Sequence, residues 1–182
     1  MRFILLIFFL EYSNFFGVKA GLCQENLFQR QKHILRGLKL DVASTFHGSF
    51  LSTARTNIFW RKDIDDNPLR FSLYYSYPTI VVGHIVMPLG TSAIVEFLQS
   101  YEINTIRFWM WEGGHRITNM QVFVIGVDGI TETIVFDGLA QPAVVKAKFS
   151  SQIVSKIRFF NRGGNTVDSN MSIIKIQAYY AF

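Results

Sequence analysis

The sequence predicts an all-β protein built as an antiparallel sandwich or barrel, and two observations lead to this prediction. From Leu69 onward, short apolar runs and alternating apolar and polar residues are separated by turn segments rich in glycine. No helical stretch lies between them, which disfavours the strand–helix alternation of nucleotide-binding α/β folds. The predicted strands are 69–75, 79–87, 92–97, 103–111, 120–127, 131–136, 143–149, 153–160 and 171–180.

Length and composition are consistent with one folded domain. The chain has 182 residues, of which 15% are aromatic and 17% are charged. The aromatic content excludes a disordered chain, and the low charge argues against a coiled coil or helical repeat. Because Cys23 is the single cysteine, an internal disulfide framework is excluded.

The positive charge lies mainly at the start of the chain. The net charge is +5, but residues 1–40 hold six basic and two acidic residues, whereas the remainder holds twelve and eleven. The remainder is nearly neutral and lacks the positive field that binding to a phosphate backbone requires. We therefore expect no nucleic-acid partner for it.

Residues 1–20 form an apolar segment that resembles a signal peptide. Arg2 precedes eight apolar residues, and Val18 and Ala20 provide the small side chains of a cleavage site. Glu11 ends the apolar run well short of the ~20 residues of a membrane span. The alternative is a segment that packs on the domain or on a partner. We expect an intracellular location, cytoplasmic or cytoskeletal, with secretion as the alternative, and membrane contact only through residues 1–40.

Residues 21–40 are predicted to form a basic amphipathic arm, in which Gly37 and a basic last turn end a helix. Such a helix most often covers an apolar patch of its own domain or of a partner, and the alternative is an acidic lipid surface. The apolar residues at helical spacing, which would dock on a partner, are Leu27, Phe28, Ile34, Leu35 and Leu38, and the opposite face carries Arg30, Lys32 and Arg36.

The motifs of enzyme and metal sites are largely missing. The sequence contains neither the phosphate-binding Gly-x-x-x-x-Gly-Lys motif nor the Gly-x-Ser-x-Gly nucleophile motif. The four histidines lack zinc-site spacing, and His84, inside an apolar strand, is expected to be structural. We predict that the protein is not an enzyme and needs no cofactor.

One acidic cluster has the right chemistry for calcium. Asp63, Asp65 and Asp66 supply the oxygen ligands that Ca²⁺ prefers, but the spacing fails the EF-hand pattern. We favour a solvated acidic turn, with a structural calcium ion as the alternative. Separately, Asn170 begins an Asn-Met-Ser glycosylation sequon, which matters only if the chain is secreted.

Several segments resemble discoidin-like (coagulation-factor type C) domains. Residues 92–97 followed by 101–108 resemble the strand pair that opens the core of those domains, and residues 154–159 and 173–180 resemble their last two strands. The resemblance covers roughly residues 41–182. It implies a jelly-roll β-sandwich of the galactose-binding-like type, with residues 1–40 as an N-terminal helical or extended arm.

A loop pattern is similar to the discoidin-like domains of BTB-BACK adaptor proteins. Trp111, Glu112 and Arg116 match a tryptophan–acid–arginine loop, and residues 127–129 match a strand followed by an Asp-Gly turn. No BTB, BACK or kelch segment is present, so the ubiquitin-ligase role of those adaptors is not implied.

The resemblance also implies a ligand face, because in this family loops gather at one end of the sandwich. An aromatic ring beside a guanidinium suits sugars, acidic groups or a protein hot spot. Alternatively, Trp111 anchors its loop and the arginines pair locally with Glu112 or Asp168. The candidate face consists of Trp60, Arg61, Trp111, His115, Arg116 and Arg162.

These observations predict a non-catalytic interaction module or structural subunit. Its loops or its apolar arm would dock onto partner proteins in a larger assembly, such as a cytoskeletal or ciliary one. The alternative is a secreted glycan-binding protein similar to a lectin. Cleavage after Ala20 and sugar on Asn170 would favour the lectin, and an intact Met1 the intracellular module.

Overall fold

The computed structural model describes residues 27–60, 67–70, 83–111 and 115–182. Arg61, Glu112, the acidic cluster of Asp63, Asp65 and Asp66, and most of the first two predicted strands lie outside these residues. The described residues contain eight strands: β1 (Phe50–Leu51), β2 (Ile58–Trp60), β3 (His84–Met87), β4 (Ser92–Met110), β5 (Thr118–Ile125), β6 (Glu132–Ala140), β7 (Val144–Asn165) and β8 (Met171–Tyr179).

All eight strands belong to one antiparallel sheet with the order β2-β3-β8-β4-β7-β5-β6, and β1 also pairs with β4. The long strands β4 and β7 pair over almost their whole length. The second half of β4 also pairs with β8, whereas the second half of β7 pairs with β5. The sheet therefore curls so that β4 and β7 contribute to both layers. The predicted jelly-roll sandwich is confirmed.

The predicted strand boundaries are wrong in the middle of β4 and of β7. Segments 92–97 and 103–111 were expected as separate strands, as were 143–149 and 153–160, but each pair forms one strand. Polar residues such as Ser100 and Gln152 interrupt the alternation there, yet no glycine or proline ends the extended backbone. Register shifts between Glu96 and Tyr101 bend the pairing without breaking it.

The predicted strand at 69–75 is also wrong at its first two residues. Asn67 begins a turn there: its side-chain Oδ1 accepts from the Leu69 N–H at 3.0 Å and its carbonyl accepts from the Arg70 N–H at 3.1 Å. The adjacent Pro68 carbonyl accepts from the Ile176 N–H at 2.8 Å, which holds this turn against β8.

The core is built from the side chains that alternate inward along the strands. Phe108 on β4 makes edge-to-face contacts with Phe136 and Phe159, with ring centroids 5.7 and 5.5 Å apart. Phe108 and Phe159 are fully buried, and each such side chain contributes roughly 1.5–3 kcal/mol through burial. The alternate residues of the same strands are left on the outer face.

The arm contains a helix over residues 27–35 that ends as predicted near Gly37, which has a left-handed φ of +61°. A Cβ atom at Gly37 would lie 2.2 Å from Val42 Cγ1, so this position requires glycine. Within the described ranges, no helix is both long and apolar enough to cross a lipid bilayer.

The apolar stripe of the arm is not covered by the described part of its own domain, so docking of the stripe on a partner stays a prediction. Leu27, Phe28, Ile34 and Leu38 are each more than half exposed, and Leu35 is half-buried. The arm is instead held by Arg36, which was placed on the polar face.

Arg36 holds the arm because the sheet offers it both a carboxylate and aromatic rings. Its Nε and Nη2 donate to the Glu102 carboxylate at 2.7 and 3.1 Å, and its Cζ lies 3.6 Å from the centre of the Tyr180 ring.

From the Arg36–Glu102 ion pair we predict that the free energy of unfolding depends on pH. The hydrogen bonds from Arg36 lower the pKa of Glu102 against an opposing effect of burial, and the Ser151 hydroxyl adds to the lowering. The stabilisation is therefore complete above the ordinary carboxyl pKa and is lost as the pH falls through the lowered value. We expect Glu102→Gln to reduce the free energy of unfolding by about 1–2 kcal/mol at pH 7 and by less at pH 3.

The measurement is urea unfolding followed by circular dichroism at both pH values. Glu96→Gln is the matched control, because the Glu96–Lys156 pair is more exposed, and its effect should be smaller at pH 7. An equal loss for Glu102→Gln at the two pH values would contradict the prediction.

Candidate functional site

A cavity of about 300 Å³ lies against the outer face of β2, β3 and β8. On β3, Ile85 and Met87 are fully buried in the core, so the alternate residues His84 and Val86 face outward. Strand pairing sets Trp60 of β2 directly opposite His84. The floor consists of Ile58, Trp60, His84, Val86 and Ser172, and the walls consist of Trp111, Arg116, Asp168 and Asn170.

Three rings form a row along the cavity. The buried His84 lies between two tryptophans, with ring centroids 6.5 Å from Trp60 and 5.4 Å from Trp111. The angles between the ring planes are only 29° and 30°. Trp60 is 57% exposed, so its face is available to a ligand. The row offers flat apolar surfaces beside polar ring nitrogens.

Arg116 and Asp168 place an ion pair next to these rings. Arg116 Nη1 donates to Asp168 Oδ2 at 2.7 Å, and the guanidinium carbon lies 4.8 Å from the centre of the Trp111 ring. Arg116 Nε is buried and has no hydrogen-bond partner among the described residues. The pair therefore presents a planar donor and an acceptor whose charges compensate each other.

The loop that carries Asp168 is preorganised by Asn165. The Asn165 amide nitrogen donates to Asp168 Oδ1 at 2.9 Å and to the Asn170 carbonyl at 2.7 Å. Burial raises the pKa of Asp168, but hydrogen bonds from Asn170 and Asn165 and the charge of Arg116 outweigh it, so the net pKa is lowered. Asp168 is therefore a carboxylate at neutral pH.

Three further hydrogen bonds hold the sides of the cavity in place. The Thr166 N–H donates to the Ile117 carbonyl at 3.0 Å, and the Ile117 N–H donates to Thr166 Oγ1 at 3.2 Å, which sets Arg116 beside the Asp168 loop. The Trp111 N–H donates to the Ser172 carbonyl at 3.1 Å, which ties the end of β4 to β8.

Asn161, fully buried in β7, links the Asp168 loop to β3. Its amide nitrogen donates to the carbonyls of Met87 at 2.8 Å and Ser169 at 2.9 Å. Its amide oxygen accepts from the Gly164 N–H at 2.7 Å. Gly164 has a φ of +70°, and a Cβ there would lie 2.7 Å from Ser169 Cα, so the chain can turn in this way only at glycine.

The structure brings together three of the six predicted ligand-face residues. Trp60, Trp111 and Arg116 line the cavity, and Arg116 makes the local pairing with Asp168 that was the alternative interpretation. His115 is exposed in a left-handed conformation with φ +50° and does not line the cavity.

Arg162 does not join the cavity. Its side chain points outward from β7 across β5 and β6, where Asn119 accepts two hydrogen bonds from it and Asp137 forms an ion pair with it. The Gly-Gly segment after Arg162 suggested a loop, but those residues still belong to β7.

Sequence reasoning missed His84 and the two asparagines that hold the Asp168 loop as parts of this site. The alternation of His84 with Ile85 and Met87 was the available signal, because in a buried strand it places His84 on the face away from the core. Asn161 and Asn165 were visible only as polar residues around a Gly-Gly pair. Asn170 was identified only as a sequon, and it also lines the cavity.

The residues of the predicted calcium site are not among the described residues that line the cavity. The candidate calcium ligands Asp63, Asp65 and Asp66 lie outside the described residues. Within the part of the chain that the structure describes, no group of three or more His, Cys, Asp or Glu side chains is arranged to hold a metal ion. The structural calcium ion therefore stays a prediction.

No family model matches the sequence, and a search of curated proteins finds no match. Solved structures do match the fold. The family 32 carbohydrate-binding module of C. perfringens NanJ, solved with galactose, aligns with a TM-score of 0.55 at 14% identity, over 77% of this chain and 98% of that one. Chitosan-binding module 1 of a Paenibacillus sp. IK-5 chitosanase/glucanase aligns with a TM-score of 0.52 at 10% identity, over 76% and 98%.

A third structure, the family 32 module of AlyQ in complex with 4,5-unsaturated mannuronic acid, has a TM-score of 0.50 at 13% identity, over 72% of this chain and 99% of that one. At these identities the alignments show the fold alone. The chain has the galactose-binding-like, discoidin-like fold that the sequence predicted. A specific link to BTB-BACK adaptors stays a prediction.

The buried hydrogen bonds of Asn161 lead to a prediction about the free energy of unfolding. Asn161→Ala would leave two buried carbonyls and one N–H without their partner, so we expect the free energy of unfolding to fall by about 2–3 kcal/mol. Asn119→Ala is the matched control, because Asn119 is half-buried and its side chain accepts from the exposed Arg162. Urea unfolding checks both variants, and equal losses would contradict the role of Asn161.

Proposed function

We propose that this protein is a non-catalytic carbohydrate-binding module and that the cavity on β2, β3 and β8 holds one neutral sugar unit. The observation that carries the proposal is the row of Trp60, His84 and Trp111 beside the Arg116–Asp168 ion pair.

The two kinds of surface in the cavity correspond to the two kinds of surface on a pyranose. A pyranose has an apolar C–H face, which packs on aromatic rings such as those of Trp60 and Trp111. Its hydroxyl groups both donate and accept, and Arg116 and Asp168 supply a donor and an acceptor side by side. Asn170 and Ser172 add further polar atoms at the rim.

The charge of the site favours a neutral ligand. Asp168 compensates Arg116, so a carboxylate or sulfate on the ligand would meet a carboxylate of the protein at the same place. The volume of about 300 Å³ lies at the small end of ligand sites, which suits one sugar unit better than a longer segment.

The structural neighbours support carbohydrate as the ligand class. Galactose and 4,5-unsaturated mannuronic acid are bound to two of them, and a third is a chitosan-binding module. They favour the glycan-binding alternative over docking in a protein assembly.

Binding without catalysis is consistent with the groups in the cavity. Glycoside hydrolysis uses two carboxyl groups on opposite sides of the scissile bond. Among the described residues that line the cavity, Asp168 supplies the one carboxylate, and it is engaged by Arg116, Asn165 and Asn170.

Docking on a partner protein stays a prediction with one observation in its favour. The arm leaves Leu27, Phe28, Ile34 and Leu38 largely exposed, as a docking helix would before it meets its partner. Phe28→Ser together with Ile34→Ser should abolish recovery of a partner by affinity purification without changing sugar binding. Recovery of the same proteins by this variant would contradict the docking function.

Sugar binding is tested by titration with galactose, glucose, mannose and N-acetylglucosamine. With about 0.3 kcal/mol for each of about twelve heavy atoms, we expect a Kd of about 2 mM for the preferred monosaccharide. Trp111→Ala and Arg116→Ala should each weaken binding at least about tenfold, because they remove the stacking face and the donor. Calorimetry or NMR measures the affinity, and circular dichroism confirms that the variants fold.

Arg162→Ala is the matched control for Arg116→Ala, because both arginines pair with an aspartate but only Arg116 lines the cavity. Its affinity should equal that of the unchanged protein. Failure of all four sugars to bind at about 50 mM, or unchanged affinity in a folded Trp111→Ala variant, would overturn the proposed function.

A further inference from the structure

A second surface lies on the outer face of β4 and β7. Ile106 and Phe108 on β4 and Ala147 on β7 are buried toward the core, so the residues that alternate with them point outward. The residues of this face are paired in register: Arg107 lies opposite Lys146, and Trp109 lies opposite Val144. Lys148 lies opposite Thr105, which is itself buried. We call Arg107, Trp109, Lys146 and Lys148 the cationic strip.

The strip places like charges side by side. Directly opposite residues on antiparallel strands have Cβ atoms about 5 Å apart, and like charges in such positions destabilise the sheet. None of Arg107, Lys146 and Lys148 forms an ion pair with any residue that the structure describes. Lys146 and Lys148 are exposed.

The second half of β7 shows the contrasting arrangement. Lys156 pairs with Glu96 on β4, whereas Arg158 pairs with Glu132 and Arg162 with Asp137, both on β6, so each of these three cations has a carboxylate partner. Along β7, the positive charges therefore change from ones paired with a carboxylate to ones that have no carboxylate partner among the described residues.

The neighbouring strand β8 does not offset the charge. Gln177 lies opposite Arg107, and Lys175 lies opposite Trp109 with its Nζ donating to the Arg70 carbonyl at 2.6 Å. The acidic residue near this part of β8 is Asp41, and its carboxylate accepts the N–H groups of Ala43 and Ala178.

We propose that the cationic strip binds a segment of an acidic polysaccharide through carboxylate or sulfate groups on successive sugar units. The cations are spaced by about 5 Å across the strands and about 7 Å along β7, which suits acidic groups repeated along a sugar chain. The Trp109 ring, 4.8 Å from the Arg107 guanidinium carbon, adds an aromatic face for a sugar ring.

The number of charges favours a polysaccharide over a nucleic acid. Affinity for nucleic acids grows with the number of phosphates that the protein neutralises, and three cations on a nearly neutral domain supply few such contacts. The inference does not depend on the cavity, because the strip requires acidic groups and the cavity favours neutral sugars.

The experiment measures binding of the full chain to polygalacturonate, dextran sulfate and neutral dextran at low and at physiological salt. We expect binding to the two acidic polymers that weakens at higher salt, and much weaker, salt-independent binding to dextran, whose neutral sugar units suit only the cavity. Lys146→Gln together with Lys148→Gln should weaken binding to the acidic polymers about tenfold or more. The double variant should keep the sugar affinity of the cavity, and Trp111→Ala should keep the polymer affinity.

Two control variants each remove one positive charge from outside the cationic strip. Lys156→Gln removes a cation of β7 that is paired with Glu96, and Lys32→Gln removes one from the basic arm. Neither should change polymer binding substantially. The proposal is overturned if the unchanged protein fails to bind either acidic polymer at low salt, or if the controls lose as much affinity as the double variant. Equal or tighter binding of poly(U) RNA or of phosphatidylserine vesicles would also overturn it.

Discussion

The pairing of β4 with β7 is the constraint on which the rest of this structure depends. The two strands stay paired despite the register shifts. The first part of β4 also pairs with β1 and its second half with β8, and the second half of β7 also pairs with β5. Because both strands belong to both layers, their ends lie beside the part of the sheet that β2, β3 and β8 form. Trp111 follows one of these ends, and the loop with Asp168 follows the other.

The polar groups of the cavity are held in position by hydrogen bonds to residues that do not line it. Asn161 connects the Asp168 loop to β3, Asn165 closes the loop on itself, and the Thr166–Ile117 contacts position Arg116. A sugar that entered would meet donors and acceptors already in place, so little conformational entropy would be lost on binding. In physical terms, the cavity is an extension of the hydrogen-bonded network of the sheet.

The sequence predicts the features that depend on alternation and composition. The all-β class and most strands follow from local patterns, whereas the expectation that Trp111 and Arg116 share one face follows from the resemblance to discoidin-like domains. It does not predict features that depend on distant partners. Arg36 was assigned to the solvent face because nothing nearby in the sequence indicates that Glu102 and Tyr180 lie beneath it. Arg162 was assigned to a loop because its partner Asp137 lies on another strand.

The central claim is that the cavity holds a sugar against the rings of Trp60 and Trp111, and the indole N–H signals of the three tryptophans test it in a single NMR experiment. Addition of the preferred neutral monosaccharide should shift the signals of Trp60 and Trp111 and leave that of Trp109 in place. If no indole signal moves at saturating sugar, or if only that of Trp109 moves, the account of the cavity is wrong.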